Sequence, residues 1–170
     1  MAGRFVISDT HFNHANIIKY ESRPFLSKEV MNECIIERWN SVVGSHDKVY
    51  MLGDFGFGSK EEMAKILNQL NGHKHLIMGN HDRHKRPSWW REVGFKEVYA
   101  HPIIIEKFVI LSHEPVHIDG GYYVNIHGHV HSGSRRAGED DKKHFNVSVE
   151  VLDYKPLSLD KLISSIKGGG

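Results

Sequence analysis

Cysteine and net charge are both nearly absent from this sequence. Its 170 residues contain one cysteine, Cys34, which excludes a scaffold built on intramolecular disulfides. The 22 basic residues balance the 21 acidic ones, and the resulting formal charge of +1 gives no general basic field for nucleic acid or an acidic membrane. We therefore expect no membrane partner and no strong nucleic-acid surface.

Long apolar runs are also missing. No run approaches the roughly 18 residues that a membrane span requires, and the first residues, MAGRFVIS, lack the charged-then-apolar layout of a secretory signal. These absences predict a cytoplasmic protein. Without visible repeats or linkers, the length and the 39% hydrophobic content favour a single domain over residues 1–167, followed by a glycine tail at 168–170.

Histidine, in contrast, is abundant, with 14 of the 170 residues. Imidazole is the commonest metal ligand in proteins, and it also exchanges protons near neutral pH. The histidine content is therefore the first indication of function.

The first half of the chain has the pattern of alternating strands and helices. Three short apolar runs are typical of buried strands, at residues 4–8, 48–52 and 75–78. Apolar residues at spacings of three and four predict one helix over 27–43 and another that starts at the capping-box sequence SKEE, residues 59–62. Gly72 has the form of a stop signal for that second helix.

The second half consists mainly of strand-like runs. They lie at residues 103–106, 108–111, 122–126 and 145–151, and a terminal helix is predicted at 157–166. Only loops separate these runs, so we expect an antiparallel part joined to the strand–helix–strand part, with helices on the outside.

Side chains with ligand chemistry follow five of the predicted strands. They are Asp9 and His11, then Asp54, then Asn80, His81 and Asp82, then His113, and finally His129 and His131. Ligand sites in sheets with parallel strands collect at the carboxyl ends of the strands, so these distant residues are expected to converge. In an extended chain, residues i and i+2 point the same way, which allows Asp9 with His11, or His129 with His131, to bind one ion as a pair.

Seven of these residues form a candidate metal-ligand set: Asp9, His11, Asp54, Asn80, His113, His129 and His131. Each residue alone has a commoner role as a cap, a turn former or a structural histidine, so the prediction depends on the ordered set. Imidazole, carboxylate and carboxamide together suit Mn, Fe, Zn or Ni rather than Ca. Seven groups exceed the need of one ion and fit two ions that share Asp54, an arrangement used for hydrolysis at phosphorus. We therefore predict two divalent transition-metal ions as cofactors, with Mn expected to support activity.

In order, these blocks resemble the five signature blocks of the calcineurin-like metallophosphoesterase superfamily. The opening DTHFNHANIIKYESRPF is similar to its small bacterial and phage-type members. The resemblance implies an α/β fold in which two mixed β-sheets pack as a sandwich flanked by helices. It assigns one ion to Asp9, His11 and His131, the other to Asn80, His113 and His129, and makes Asp54 the bridge. It also places His81 near the leaving-group oxygen, with Asp82 orienting its ring, as the two catalytic residues.

The expected activity is hydrolysis of phosphate esters. A hydroxide that bridges the two ions would attack phosphorus in line, and His81 would protonate the leaving oxygen. We expect a small phosphorylated substrate, and a phosphodiester of nucleotide type is favoured because a small chain without a capping domain suggests an open site. A phosphomonoesterase and a catalytically silent binding scaffold of the same fold are the alternatives. His81 and the complete ligand set argue against the scaffold.

Three further residues are expected to bind substrate: His14, Arg23 and His127. His14 lies three residues after His11, where a solvent-facing loop position is an equal alternative. Arg23 is close enough to the first block to contact a substrate phosphate. His127 shares the alternating face of His129 and could line the pocket or support a ligand.

Overall fold

A computed structural model describes residues 2–133 and 142–168 of the chain. Of the predicted glycine tail, Gly168 is the last residue of a helix, and Gly169 and Gly170 lie outside the described residues. Along the described residues the elements are β1 (Arg4–Ile7), α1 (Ala15–Tyr20), α2 (Lys28–Asn40), β2 (Lys48–Met51), α3 (Lys60–Leu67), β3 (His73–Ile77), α4 (Pro87–Val93), β4 (Glu97–Tyr99), β5 (Ile103–Ile105), β6 (Val109–Leu111), β7 (Val124–His127), β8 (His144–Asn146), β9 (Leu157–Ser158) and α5 (Leu159–Gly168).

The strands form two mixed sheets. In the first, with the order β4-β3-β2-β1-β9, the four strands β1 to β4 run parallel and β9 pairs antiparallel with β1. In the second, with the order β5-β6-β7-β8, only β5 and β6 are antiparallel. The expectation of an antiparallel second half is therefore wrong for the pairs β6–β7 and β7–β8. A parallel pair needs a connection of about a dozen residues or more, and the segments 112–123 and 128–143 are long enough to return the chain.

The residues at which the sequence predicts the starts of two helices form capping hydrogen bonds in α2 and α3. The Ser27 hydroxyl accepts a hydrogen bond from the Val30 amide at the start of α2. At the start of α3, Ser59 and Glu62 form the predicted capping box, in which each side chain accepts a hydrogen bond from the other residue's amide. That helix ends at Leu67, however, so Gly72 is not its stop signal. Gly72 has φ of +84° and lies in the turn that leads into β3.

Two apolar cores result from the alternation of side chains along the strands. Ile7 and Met51 pack with buried residues of α2, α3 and α4, whereas the neighbouring Val6 and Leu52 pack with Val109 and other residues of the second sheet and of α5. The molecule is therefore the α/β sandwich of two mixed sheets flanked by helices that the resemblance implies. None of the helices within residues 2–133 and 142–168 has the length and apolar character that a membrane crossing requires.

Candidate metal centre

The loops that carry the predicted ligands turn sharply where the strands end. Asp9, His11, Asp54, His129 and His131 have φ of +60°, +49°, +55°, +70° and +49°. Residues other than glycine rarely adopt this left-handed conformation, and each instance costs on the order of 1–3 kcal/mol. Five of the seven predicted ligands thus have strained backbones, as is common where the surroundings hold side chains in place for function.

The ligands predicted for the first ion, Asp9, His11 and His131, lie together, with ligand atoms within 4.8 Å of one another. The Asp9 Oδ1 atom lies 3.9 Å from Nε2 of His11 and 3.7 Å from Nε2 of His131. Asp9 Oδ1 and His11 Nε2 are buried and have no hydrogen-bond partner among the described residues. Since a buried polar atom without a partner costs free energy, a cation between these atoms would remove that cost.

The ligand atoms of the second predicted set, which consists of Asn80, His113 and His129, lie closer to one another than those of the first set. Asn80 Oδ1 lies 2.9 Å from His113 Nε2 and 3.1 Å from His129 Nδ1, and the two ring nitrogens are 3.2 Å apart. Two ligand atoms that bind the same ion, each at about 2.1 Å, lie about 3.0 Å apart when the angle at the ion is octahedral and about 3.4 Å apart when it is tetrahedral. The spacing of these three atoms therefore fits a common ion.

Asp54 lies between the two sets. Its Oδ2 atom is 3.5 Å from His11 Nε2 and 3.4 Å from His113 Nε2, so one oxygen faces a ligand of each predicted ion. Its other oxygen accepts a hydrogen bond from the His81 amide at 3.0 Å. Burial, reinforced by the carboxylates of Asp9 and Asp82, raises the pKa of Asp54 to about 8. Bound cations would favour the ionised form, so the cluster of carboxylates also fits a metal site.

The imidazoles of the cluster are held through their second ring nitrogens. His113 Nδ1 lies 2.7 Å from the Leu52 carbonyl, which must accept its hydrogen and so leaves Nε2 with a free lone pair. His131 Nδ1 faces Glu150 Oε1 at 3.0 Å. Burial lowers the pKa of His11 and of His113, which keeps both rings in the neutral form that binds metal.

Asp82 differs from its expected role. It is buried, and in the described residues its carboxylate accepts hydrogen bonds from backbone amides, of Asp54 at 2.7 Å, Gly79 at 2.8 Å and Phe55 at 3.1 Å, with none from the His81 ring. Burial raises its pKa to about 6, against the opposing effect of those amides. Asp82 therefore fixes the loops after β2 and β3 rather than the imidazole of its neighbour.

Two of the expected substrate-binding residues lie behind the cluster. Arg23 is buried, and its guanidinium donates to Glu150 and to the carbonyls of Asp9 and Thr10. His127 is fully buried, with Nδ1 2.9 Å from the Gly128 carbonyl oxygen. Neither side chain reaches the open face: Arg23 follows α1 and turns into the interior, and His127 is the last residue of β7, all four of whose residues are buried.

His81 and His14 do lie at the open side of the cluster. The His81 side chain is 40% exposed, and its Nε2 is 3.9 Å from Asp54 Oδ2. His14 Nδ1 lies 3.2 Å from His11 Nδ1, so this half-buried residue also supports a predicted ligand. The Phe57 ring packs against both histidines, with centroid distances of 5.2 Å to His81 and 4.4 Å to His14.

Three contributors to the cluster have no signal in the sequence: Phe57, Ser148 and Glu150. The Ser148 hydroxyl is 3.1 Å from Asp9 Oδ2, which also accepts the His129 amide at 2.8 Å. Ser148 and Glu150 follow β8 in the run 145–151, which the sequence predicts as one strand, and Phe57 is one aromatic residue among several. Their roles depend on contacts across the sheet that local sequence does not reveal.

Comparisons with known proteins agree with this arrangement. The family model described as calcineurin-like phosphoesterase matches residues 5–168. The uncharacterized protein MJ1445 of Methanocaldococcus jannaschii is 39% identical over 179 aligned positions, covering 97% of this chain and 92% of that protein. The Gene 66 protein of a Mycobacterium phage is 32% identical over 87 residues, covering 48% of this chain and 41% of its own. The crystal structure of a protein of unknown function from Aquifex aeolicus has a TM-score of 0.76 and 31% identity, covering 96% of this chain and 99% of its own.

Proposed function

The chain belongs to the calcineurin-like phosphoesterase family, and from this we propose that it hydrolyses phosphodiesters of nucleotide type with the help of two divalent transition-metal ions. The observation that supports the dinuclear site most directly is the position of Asp54. Its Oδ2 atom faces His11 of one predicted set and His113 of the other at nearly equal distances, 3.5 and 3.4 Å. A shared carboxylate of this kind is what two adjacent ions require.

The protein's own residues would hold the ions and orient the substrate at the open side. Asp9, His11 and His131 would hold one ion, Asn80, His113 and His129 the other, and Asp54 both. When bound, the ions would lower the pKa of a coordinated water to make a nucleophile and would neutralise the phosphoryl oxygens.

His81 would act on the leaving group. Its ring is the exposed imidazole closest to Asp54, and burial of its inner part lowers its pKa. A substrate phosphate beside the ring would favour the protonated form. The ring could then donate a proton, or a hydrogen bond, to the departing oxygen.

Two arginines near the motif blocks, Arg23 and Arg83, are bound within the protein, and this favours a diester over a monoester. Arg23 is buried, and Arg83 forms a two-pronged ion pair with Glu114 at 2.5 and 2.8 Å. Both guanidinium groups are therefore engaged with the protein. A phosphodiester has one negative charge and a monoester has up to two, so the diester has less need of these cations. A phosphomonoesterase is the second candidate, and the cytoplasmic location stays a prediction.

Reconstitution with manganese tests this function. Metal-free protein loaded with Mn should hydrolyse bis-p-nitrophenyl phosphate faster than p-nitrophenyl phosphate, and chelator should abolish the activity. Asp54→Ala should lose activity and bind both ions weakly, because it removes the shared ligand. His46→Ala, which removes an exposed histidine of the loop before β2, is the matched control and should behave as wild type.

Three results would contradict the proposal. Activity that persists in Asp54→Ala would come from another site or another protein. Uptake of at most one Mn per chain at saturation would exclude the dinuclear centre. A faster reaction with the monoester would replace the diesterase with the phosphomonoesterase.

A further inference from the structure

Arg23 is buried beneath the metal centre and is fully engaged there. Its side chain has no exposed surface. One terminal nitrogen donates to the Asp9 carbonyl at 2.8 Å, and the other donates to the Thr10 carbonyl at 3.0 Å. Burial of a guanidinium is costly unless acceptors surround it, so these bonds hold the strained turn at Asp9 in place.

The same guanidinium also holds Glu150. Arg23 donates to the Oε1 atom of Glu150 from Nε at 2.8 Å and from a terminal nitrogen at 2.6 Å. The Glu150 side chain is only 6% exposed. Its position is therefore set by a buried cation rather than by solvent.

Glu150 in turn faces His131. The same Oε1 atom is 3.0 Å from His131 Nδ1, and on the opposite side of the ring Nε2 is 3.7 Å from Asp9 Oδ1. A carboxylate at Nδ1 selects the tautomer that has its hydrogen there, so Nε2 keeps a free lone pair directed at the predicted ion.

We propose that Arg23 and Glu150 are positioning residues that set the affinity of one of the two metal ions. Arg23 reaches two ligands of that ion, Asp9 through its backbone carbonyl and His131 through Glu150. The other ion depends on different support, since His113 is held by the Leu52 carbonyl. The inference rests on the proposed function, because it requires that metal ions bind at this cluster.

A different role for Glu150 is a direct ligand. Glu21, His131 and Glu150 have ligand atoms within 4.8 Å of one another, and Glu150 Oε2 is buried with no hydrogen-bond partner among the described residues. The cation of Arg23, however, lies against Glu150 and would repel a metal ion there. A test must therefore separate a support for His131 from a ligand for a third ion.

Mn binding at equilibrium to metal-free protein tests the inference. In Glu150→Gln, one of the two ions should bind about 10–100-fold more weakly, as expected when a carboxylate behind a ligating histidine is lost. The other ion should bind within about twofold of wild type. Arg38→Gln is the matched control, because Arg38 pairs with Asp153 and lies over the same Tyr154 ring as Arg23 but contacts none of the ligands.

A second background distinguishes positioning from a general loss of structure. In His131→Ala, the ligand that Glu150 supports is gone, so adding Glu150→Gln should not weaken the remaining ion further. If Glu150→Gln does not fold, Glu150→Asp retains the charge beside Arg23 but withdraws it from His131, and the same pattern is expected.

The possible results of these Mn-binding measurements distinguish a failure of the positioning role from a failure of the proposed function. Unchanged affinity in Glu150→Gln, equal weakening of both ions by that substitution, or further weakening of the remaining ion when it is added to His131→Ala, would overturn the inference and leave the proposed function intact. A third ion per chain that disappears in Glu150→Gln would make Glu150 a ligand and also overturn the positioning role. A wild-type protein that binds no Mn would overturn the proposed function, and the inference with it.

Discussion

At the scale of single residues, the histidines of the centre differ in what faces their second nitrogen. His113 has a carbonyl there, His131 has the Glu150 carboxylate, and His11 has the ring of His14. The His81 ring is more exposed than these and has no carboxylate of Asp82 beside it. His81 is thus tied to the cluster by its backbone bond to Asp54, while its ring stays available to a substrate.

The chemistry of His81 can be separated from metal binding by substitution. His81→Ala should keep both ions and lower kcat by about 10²–10⁴, the usual effect of removing a positioned general acid. The loss should be larger for an alkyl leaving group than for p-nitrophenolate, which departs without a proton. His84→Ala, at an exposed histidine of the same short turn, is the control. Equal losses for both leaving groups would point to electrostatic stabilisation instead, and loss of an ion would make His81 a ligand.

At the scale of elements, the cluster of candidate ligands forms because strand ends from both sheets pack closely against one another. Gly128, just after β7, packs directly against the residues that follow β1. A Cβ atom on Gly128 would lie 1.9 Å from Ser8 Oγ and 2.2 Å from Asp9 Oδ2. Both of those side chains are fully buried and cannot move aside, so only glycine fits between the two sheets at this point.

Gly128→Ala should therefore lower the stability of the fold and displace the predicted ligand Asp9. We expect a loss of about 1–3 kcal/mol in the free energy of unfolding, as for other overpacked sites. The variant should also bind Mn more weakly. Chemical denaturation and Mn titration would measure the two effects. Gly121→Ala is the matched control, since a Cβ there meets nothing within 4 Å. Equal stability of the two variants would contradict the tight approach of the strand ends.

At the scale of the whole molecule, the space between the sheets also contains a histidine that the centre does not use. His75 of β3 is 5% exposed, and neither ring nitrogen has a hydrogen-bond partner among the described residues. Its ring centroid is 5.6 Å from that of Tyr50 on the neighbouring strand. Burial lowers the pKa of His75 to about 4, so the folded protein holds the ring neutral.

This burial predicts a loss of stability in acid. The unfolded chain binds a proton at His75 near its ordinary pKa of about 6.5, whereas the folded chain does not until about pH 4. Above about pH 6.5 the buried neutral ring of His75 costs the fold nothing in proton binding. As the pH falls from about 6.5 towards 4, the free energy of unfolding decreases by at most about 1.4 kcal/mol per pH unit, because the unfolded chain binds a proton that the folded chain does not. His75→Leu should remove this part of the slope in metal-free protein. Parallel pH curves for the two proteins would contradict it.

The sequence by itself determined the candidate ligands and most of the elements that present them. Short apolar runs, helix caps and the residues directly after each strand are local features, and their order along the chain identified the family. The same features predicted ligands at the carboxyl ends of the strands, whereas the two mixed sheets followed from the family resemblance, and the parallel pairs of the second sheet were not predicted from local pattern. The single domain over residues 1–167 stays a prediction.

Only the tertiary structure decided which polar residues face the substrate and which support the ligands. The sequence suggested Arg23 and His127 for substrate and Asp82 for the His81 ring, but all three are buried with partners elsewhere. Glu150 had no signal at all, because its partner Arg23 is 127 residues away along the chain. The spacing of residues reveals what one strand or helix presents, whereas a buried hydrogen bond depends on how separate elements pack, and short-range pattern contains no information about that packing.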